Sequence, residues 1–335
     1  MNIAKSNRNK FYDAIKGVAI LLVVIGHVIQ NHSNDFDNNL IFRIIYSFHM
    51  PLFMFISGVV VTLGREVDVC WLKRKAQQLV VPFVVWIFLP FLFSTTKDWD
   101  RLICKIANVI KNPDNGYWFL WILFLCCFCL WISTIIQKKC MIEQEGMIFL
   151  AEVIILFLIG EKVTSWFGIK SLAYHSVYYF IGYMVGKYQL VRKIENNKIA
   201  IGLGVTIYVI LVSMWYRTQL PAWLYSLEEL LPNLFIRLMN LGFDYLVGLS
   251  GIFTIWVFVK YVLVKAQRIL SVLGKSTLEI YVLHYYFIGM FRTGNIVFTM
   301  IINSILAIVL SLVIAKCIES GKVTRLLFGR CSNNK

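Results

Sequence analysis

Residues 118–136 read WFLWILFLCCFCLWISTII, nineteen consecutive positions without a charged side chain. An α-helix crosses the hydrocarbon core of a membrane with roughly 20 predominantly apolar residues. This stretch therefore predicts a membrane-spanning helix. The composition agrees, since 59% of the 335 residues are hydrophobic and 15% are charged, whereas about a quarter are charged in soluble domains.

Similar apolar blocks recur along the chain and predict about ten transmembrane helices, an all-α polytopic bundle. The fifth and ninth blocks are the shortest and lie near the lower length limit for a span. We expect a single transmembrane domain over residues 1–335. The ten predicted spans cover about 11–30, 40–63, 79–95, 118–136, 147–159, 174–188, 199–216, 235–259, 278–291 and 296–317.

The cationic residues predict the orientation of these spans. With the N-terminus inside, 23 of the 33 Lys and Arg residues fall in cytoplasmic segments, as the positive-inside rule requires. Both termini are therefore expected in the cytoplasm, and the first apolar run reads as an uncleaved span. The net charge of +15 comes from short clusters between apolar blocks, which argues against a nucleic-acid partner and favours contact with membrane lipids.

The eight cysteines do not indicate a metal site or a disulfide framework. Cys126, Cys127 and Cys129 lie inside an apolar block, and no cluster has zinc-site spacing. We expect these three to pack as small apolar side chains, and we expect no metal.

Lys16 and His27 are the most informative ionisable pair. They are eleven positions apart, about three helical turns, so both side chains lie on one face of the first span. The alternative is that Lys16 extends to the interface and His27 makes an ordinary interhelical hydrogen bond. His49 lies at a similar predicted depth, either sharing a polar cavity with His27 or bonding a local carbonyl.

Other polar residues within or beside spans are further candidates, because ionisable groups in a membrane are costly. Arg74 and Lys75 belong to a basic cluster that either binds an anionic ligand or marks the cytoplasmic side. Arg237 and Asp244 are seven positions apart and share a helix face, as an ion pair or an acceptor site. Glu279 and His284 could form part of a polar site in the ninth span.

Five segments, taken together and in order, resemble the acyltransferase-3 family of membrane-bound O-acyltransferases. The nearest members are the fucose 4-O-acetylase-like and bacterial polysaccharide O-acetyltransferases. The segments are FYDAIKG at 11–17 with Gly26-His27, FHMPLF at 48–53 with Ser57-Gly58, the basic stretch 73–75 leading into Pro82-Phe83, YWFL at 117–120 and GKSTLEIYVLH at 274–284.

This resemblance implies roles for individual residues. His27 would be the catalytic histidine, with His49 as a second candidate, and Lys16 would be the basic partner on the same helix. Arg74 and Lys75 would bind the phosphates of acyl-CoA, and Trp118 would line the donor path. The remaining candidate residues are Asp13, Asp244, Glu279 and His284.

Two departures from the family pattern affect the expected donor site. The family's first basic residue is more often Arg, and Lys16 retains its charge without the planar guanidinium that binds phosphate bidentately. The family's Arg-x-Arg pair falls on Lys75 and Gln77, with Arg74 displaced by one position. On a helix that displacement turns the side chain by about 100°.

We therefore expect a multi-pass protein of a bacterial plasma membrane that moves an acyl group, usually acetyl, from cytoplasmic acyl-CoA to a glycan or lipid-linked saccharide. Direct transfer and an acyl-histidine intermediate both remain open, and no oligomeric state follows from the sequence. One alternative is a transporter of such intermediates with a His/Asp proton relay. Another is a non-catalytic membrane scaffold, in which a change at His27 affects only stability.

Overall fold

A computed structural model describes residues 9–64, 66–94, 98–113, 116–141, 146–160, 166–191, 195–318 and 321–330. Within these ranges the secondary structure is helical, without strands, as the sequence predicts. The α-helices are α1 (Lys10–His32), α2 (Leu40–Tyr46), α3 (His49–Val61), α4 (Val69–Leu92), α5 (Trp99–Lys111), α6 (Trp118–Cys140), α7 (Met147–Gly160), α8 (Ile169–Tyr188), α9 (Lys198–Met214), α10 (Ala222–Tyr225), α11 (Asn233–Tyr261), α12 (Gln267–Lys275), α13 (Thr277–Leu283), α14 (Ile296–Cys317) and α15 (Gly321–Phe328). Short 3₁₀ turns cover Phe36–Asn38, Trp166–Gly168 and His284–Tyr286.

Six segments among the described residues are long and apolar enough to cross a membrane. The helices α7 and α9 are apolar but shorter. The number of ten spans and the cytoplasmic position of both termini therefore stay predictions. The six segments are Lys10–His32, Leu40–Val61, Val69–Leu92, Trp118–Cys140, Asn233–Tyr261 and Ile296–Cys317.

The predicted ninth span is wrong as a continuous helix. Its region forms the seven-residue helix α13 and the 3₁₀ turn His284–Tyr286. Seven residues rise only about 10 Å, too little to cross the hydrocarbon core. The residues of this run are apolar, as the sequence shows, but the α-helix that they form stops at Leu283.

The second predicted span is interrupted between α2 and α3. The break at Ser47 and Phe48 precedes Pro51, which lies in the first turn of α3. Proline is tolerated in a first turn because the backbone N–H groups there have no intrahelical acceptor. The helix therefore restarts just before Pro51, and His49 becomes the first residue of α3.

Side-chain caps fix the starts of several helices. The Asn9 side chain accepts from the backbone N–H of Phe11 and begins α1. Asp68 caps α4 through the N–H of Trp71, and Asn197 caps α9. Each cap satisfies an N–H group that the first turn leaves without a carbonyl partner.

The chain divides into two compact units, each built from two chain segments. Unit 1 comprises Met1–Ile56 and Tyr188–Val313, and unit 2 comprises Ser57–Lys187 and Ile314–Lys335. Unit 1 contains α1, which packs against α2, α11, α12 and α13, while α9 packs against α11. In unit 2, α6 packs against α4 and α7, and α15 packs against α4.

Unit 1 depends on a backbone contact between α1 and α12. A Cβ atom added at Gly17 would overlap the carbonyl oxygen of Leu270, and one added at Gly274 would overlap the carbonyl oxygen of Asp13. Asp13 meets Gly274 and Gly17 meets Leu270, so the two helices are antiparallel where they touch. Small residues at helix interfaces in membranes allow this close approach.

In unit 2, glycines also allow a close backbone contact, here between α3 and α8. A Cβ atom at Gly58 would overlap the backbone oxygen of Tyr179. At Gly186 it would lie 2.9 Å from the backbone oxygen of Val59. Gly58 and Gly186 therefore allow the backbones of α3 and α8 to approach closely.

We predict that Gly17→Ala destabilises the protein by about 1–3 kcal/mol, because the new methyl group forces the backbones of α1 and α12 apart. The matched control is Gly242→Ala, since a Cβ atom there meets no atom within 4 Å. Thermal unfolding in detergent, followed by size-exclusion chromatography, measures both. Equal transition temperatures for the two variants would contradict the contact.

Candidate active site

The five histidines fall into two groups by the partner of their Nδ1 atom. In His32, His49, His175 and His284 the Nδ1–H donates to the carbonyl four residues earlier, at 2.8–2.9 Å. This local hydrogen bond satisfies the Nδ1–H group of each of these four rings. His27 differs, because its ring nitrogens lie against side chains.

Gln30 and Tyr46 surround the Nδ1 atom of His27. The Gln30 Oε1 and the Tyr46 hydroxyl oxygen both lie 3.3 Å from Nδ1. The Tyr46 hydroxyl donates its hydrogen to Gln30 Oε1 at 3.1 Å, so it offers His27 only lone pairs. An amide oxygen accepts and never donates. These two contacts favour the neutral tautomer with the hydrogen on Nδ1 and the lone pair on Nε2.

Tyr285 lies beside that lone pair. Its hydroxyl is 3.0 Å from Nε2 and 2.9 Å from Nδ1 of His27, and the two ring centroids are 4.6 Å apart. The hydroxyl is almost equally close to both ring nitrogens, and with the hydrogen on Nδ1 it is Nε2 that can accept from it. The Nε2 atom thus faces a hydroxyl group, the class of group that a general base deprotonates.

His284 completes this cluster on the side of α13. Its side chain is fully buried, and its ring centroid lies 5.3 Å from that of His27 and 4.5 Å from that of Tyr285. His284 thus lies beside His27 and Tyr285, and its role in a polar site stays a prediction. The second imidazole against His27 is His284.

His49 packs against the same cluster through Tyr46. Their ring centroids are 4.6 Å apart, and the His49 Nδ1–H donates to the carbonyl of Ile45 at 2.9 Å. This is the local hydrogen bond that the sequence left open as an alternative. A catalytic role for His49 stays a prediction.

The other predicted residues of unit 1 lie on α1, α11 and α13. Asp13 and Glu279 are buried, and Lys16 is half-buried on α1. Asp244 accepts from the indole Nε1 of Trp215 at 2.8 Å. Arg237, predicted on the same helix face, has an exposed side chain.

Of the predicted donor residues, Lys16 belongs to unit 1, and Arg74, Lys75 and Trp118 belong to unit 2. Arg74 and Lys75 are half-buried in the first turns of α4, and the Lys75 Nζ lies 5.7 Å from the ring centroid of Trp71. Trp118 begins α6, and its ring centroid is 5.0 Å from that of His175. Their contact with acyl-CoA stays a prediction.

An ion pair joins two loops of unit 1. The Arg217 guanidinium donates to both carboxylate oxygens of Asp37 at 2.8 and 2.9 Å. These hydrogen bonds raise the pKa of Arg217. The ion pair therefore holds the loop at Asp37 against the loop at Arg217.

Sequence reasoning did not find Gln30, Tyr46 or Tyr285. Gln30 follows His27 by three positions, which places both on one helix face. Tyr46 lies three positions before His49, and Tyr285 follows His284 directly. Helical spacing could have indicated Gln30. The two tyrosines resemble ordinary aromatic residues of a membrane protein until the fold brings them to His27.

A family model described as an acyltransferase domain matches residues 9–318. The chain belongs to the acyltransferase-3 family. The match includes every residue of the His27 cluster, and it confirms the resemblance found in the sequence. The family and the six long apolar helices together indicate an integral membrane protein.

Two curated relatives of this acyltransferase-3 chain are nodulation proteins NolL. The protein from Sinorhizobium fredii is 32% identical over 127 residues, 35% of this chain and 34% of the relative. The protein from Mesorhizobium japonicum is 33% identical over 132 residues, 36% of this chain and 34% of the relative. The chain thus spans about a third of the length of these relatives. No solved structure gives a significant match.

We predict that Tyr285→Phe makes His27 more reactive toward diethyl pyrocarbonate, by about 2- to 10-fold, the range that one neutral hydrogen bond contributes. The variant frees the Nε2 lone pair without removing the ring. Mass spectrometry of peptides measures the rate, with Tyr225→Phe, a change at an exposed tyrosine, as the control. Equal rates in the two variants would rule out the Tyr285 contact.

Proposed function

We propose that this protein is a membrane O-acyltransferase in which His27 is the general base. The acyl group, acetyl by family resemblance, comes from cytoplasmic acyl-CoA and passes to a hydroxyl of a glycan or lipid-linked saccharide. The observation that carries this proposal is the Nε2 atom of His27, which faces a hydroxyl oxygen at 3.0 Å while side chains hold the hydrogen on Nδ1.

The proton and bond changes follow from that arrangement. The acceptor hydroxyl takes the place of the Tyr285 hydroxyl and gives its proton to Nε2 of His27 as its oxygen attacks the thioester carbonyl. The new C–O bond forms and the C–S bond breaks. His27 then returns the proton to the leaving thiolate, so that acyl-CoA becomes CoA with a free thiol and the enzyme is regenerated.

The hydrogen bonds around Nδ1 support a base in this position. When His27 becomes an imidazolium, Gln30 Oε1 and the Tyr46 oxygen continue to accept from Nδ1–H. Both are neutral, so the neutral resting ring is not stabilised as a cation before substrate arrives. An imidazole can take up and release one proton, which are the two states that transfer requires.

The donor side rests on composition and family resemblance. The phosphates of acyl-CoA prevent the molecule from crossing a bilayer, so the cofactor must bind from the cytoplasm, the side to which the charge distribution assigns α4. Arg74 and Lys75 supply cations for its phosphates, Lys16 supplies another near the start of α1, and Trp118 offers an apolar surface for the donor. A bacterial plasma membrane is the compartment that fits these requirements.

We predict that His27→Ala lowers acyl transfer by about 10²- to 10⁴-fold, the usual contribution of a general base. The assay is transfer from radiolabelled acetyl-CoA to envelope glycans in vesicles of a deletion strain, with each variant at equal membrane abundance. His32→Gln, one turn further along α1, is the control and should retain activity. If the protein is a transporter, the wild type shows no acetyl-CoA turnover. A His27→Ala variant with wild-type activity would contradict the role of His27 as general base.

We predict separately that the double variant Arg74→Gln, Lys75→Gln raises the KM for acetyl-CoA by about tenfold or more, because charge-assisted hydrogen bonds to phosphate are lost. The kcat should change little, since neither residue touches the reacting atoms in the proposal. Lys139→Gln is the control, as Lys139 is an exposed cation in the last turn of α6. An unchanged KM would exclude these two residues from the donor site.

A further inference from the structure

His284 carries a buried polar atom that the fold leaves unsatisfied. Its side chain is fully buried, and its Nδ1–H donates to the carbonyl of Ile280 at 2.9 Å. Its Nε2 atom has no hydrogen-bond partner among the described residues. Leaving such a group unsatisfied lowers the stability of the fold, so its presence calls for an explanation such as a functional role.

The chemical nature of that atom follows from the Ile280 contact. A backbone carbonyl only accepts, so the single hydrogen of the neutral His284 ring lies on Nδ1. Its Nε2 is therefore a lone pair that lacks a donor. The missing partner must be an N–H or O–H group.

The nearest polar groups are the other members of the His27 cluster. The His27 and His284 rings are separated by 5.3 Å between centroids and inclined by only 30°. Because ring nitrogens lie at the edges of their rings, two imidazoles at this spacing can form a hydrogen bond when a nitrogen of each ring points toward the other. In the resting state Nε2 of His27 has no hydrogen to give.

We propose that His284 is a positioning residue that accepts a hydrogen bond from the imidazolium of His27. This inference rests on the proposed function. Once Nε2 of His27 takes the proton of the acceptor hydroxyl, it becomes the N–H donor that His284 lacks. His284 gains no proton in this step, and the proton then passes from His27 to the CoA thiolate.

The surroundings of His27 explain why such an acceptor is useful. Its hydrogen-bond partners in the described residues are Gln30, Tyr46 and Tyr285, and none carries a charge. A cation formed in a region of low dielectric needs lone pairs directed at both of its N–H groups. Gln30 and Tyr46 serve Nδ1–H, and His284 serves Nε2–H until the thiolate receives the proton.

The test compares two amide replacements of different length. His284→Asn places an amide near the position of Nδ1 and leaves nothing at Nε2. His284→Gln places its amide near Nε2. The full-length protein is assayed in vesicles with radiolabelled acetyl-CoA, and thermal unfolding in detergent is measured for each variant.

We expect His284→Asn to lose roughly 10- to 100-fold in kcat, the loss expected for one hydrogen bond to a charged group. His284→Gln should recover much of that loss, and the KM for acetyl-CoA should stay unchanged in both variants. A purely structural role predicts the reverse order, because Asn better preserves the bond to Ile280.

The outcomes separate the two proposals. If the wild type transfers acetyl groups, His27→Ala does not, and His284→Asn is as active as His284→Gln, the role of His284 is overturned and the proposed function stands. If both His284 variants lose activity only in proportion to folded protein, His284 is structural. If the wild type shows no acetyl-CoA-dependent transfer, both proposals fail.

Discussion

The close approach of α1 and α12 is the contact on which the rest of unit 1 depends. Gly17 lies against the carbonyl of Leu270, and Gly274 lies against the carbonyl of Asp13. No side chain intervenes, so the two backbones have one possible separation. After α12 the chain reverses at Ser276, and α13 leads back along α1 until His284 meets His27. The geometry of the candidate site therefore depends on Gly17 and Gly274, two residues without a functional side chain.

In an apolar environment each polar side chain has few possible hydrogen-bond partners. Four histidines bond their own helix, and Arg43 donates to the carbonyls of Val212, Ser213 and Trp215 near the end of α9. The Nδ1–H groups of these histidines and the Arg43 guanidinium are therefore satisfied by backbone carbonyls. The cluster of His27, Gln30, Tyr46 and Tyr285 differs because its hydrogen bonds join separate elements and meet at one ring. The candidate site therefore lies where a polar side chain, His27, bonds other side chains instead of a backbone carbonyl of its own helix.

The sequence predicted those features that depend on a single helix. Apolar length predicted α1, α6 and α14 closely, and the family resemblance selected His27. It failed at residues 278–291, because an apolar run does not reveal that the chain turns at Ser276 and enters a 3₁₀ turn at His284. Tyr46 and Tyr285 were missed for a related reason. Their importance comes from tertiary neighbours, and an aromatic residue in a membrane segment has many ordinary roles.

The position of the Tyr285 hydroxyl has a consequence for how substrate is used. In the proposed mechanism an acceptor alcohol would reach the lone pair of His27 by displacing that phenol, whose ring is half-exposed at the cluster. Arrival of the acceptor and release of the base would then be a single event. A thioester that arrived alone would meet a base whose lone pair is already hydrogen-bonded, so its hydrolysis by water would be slow without any lid over the site.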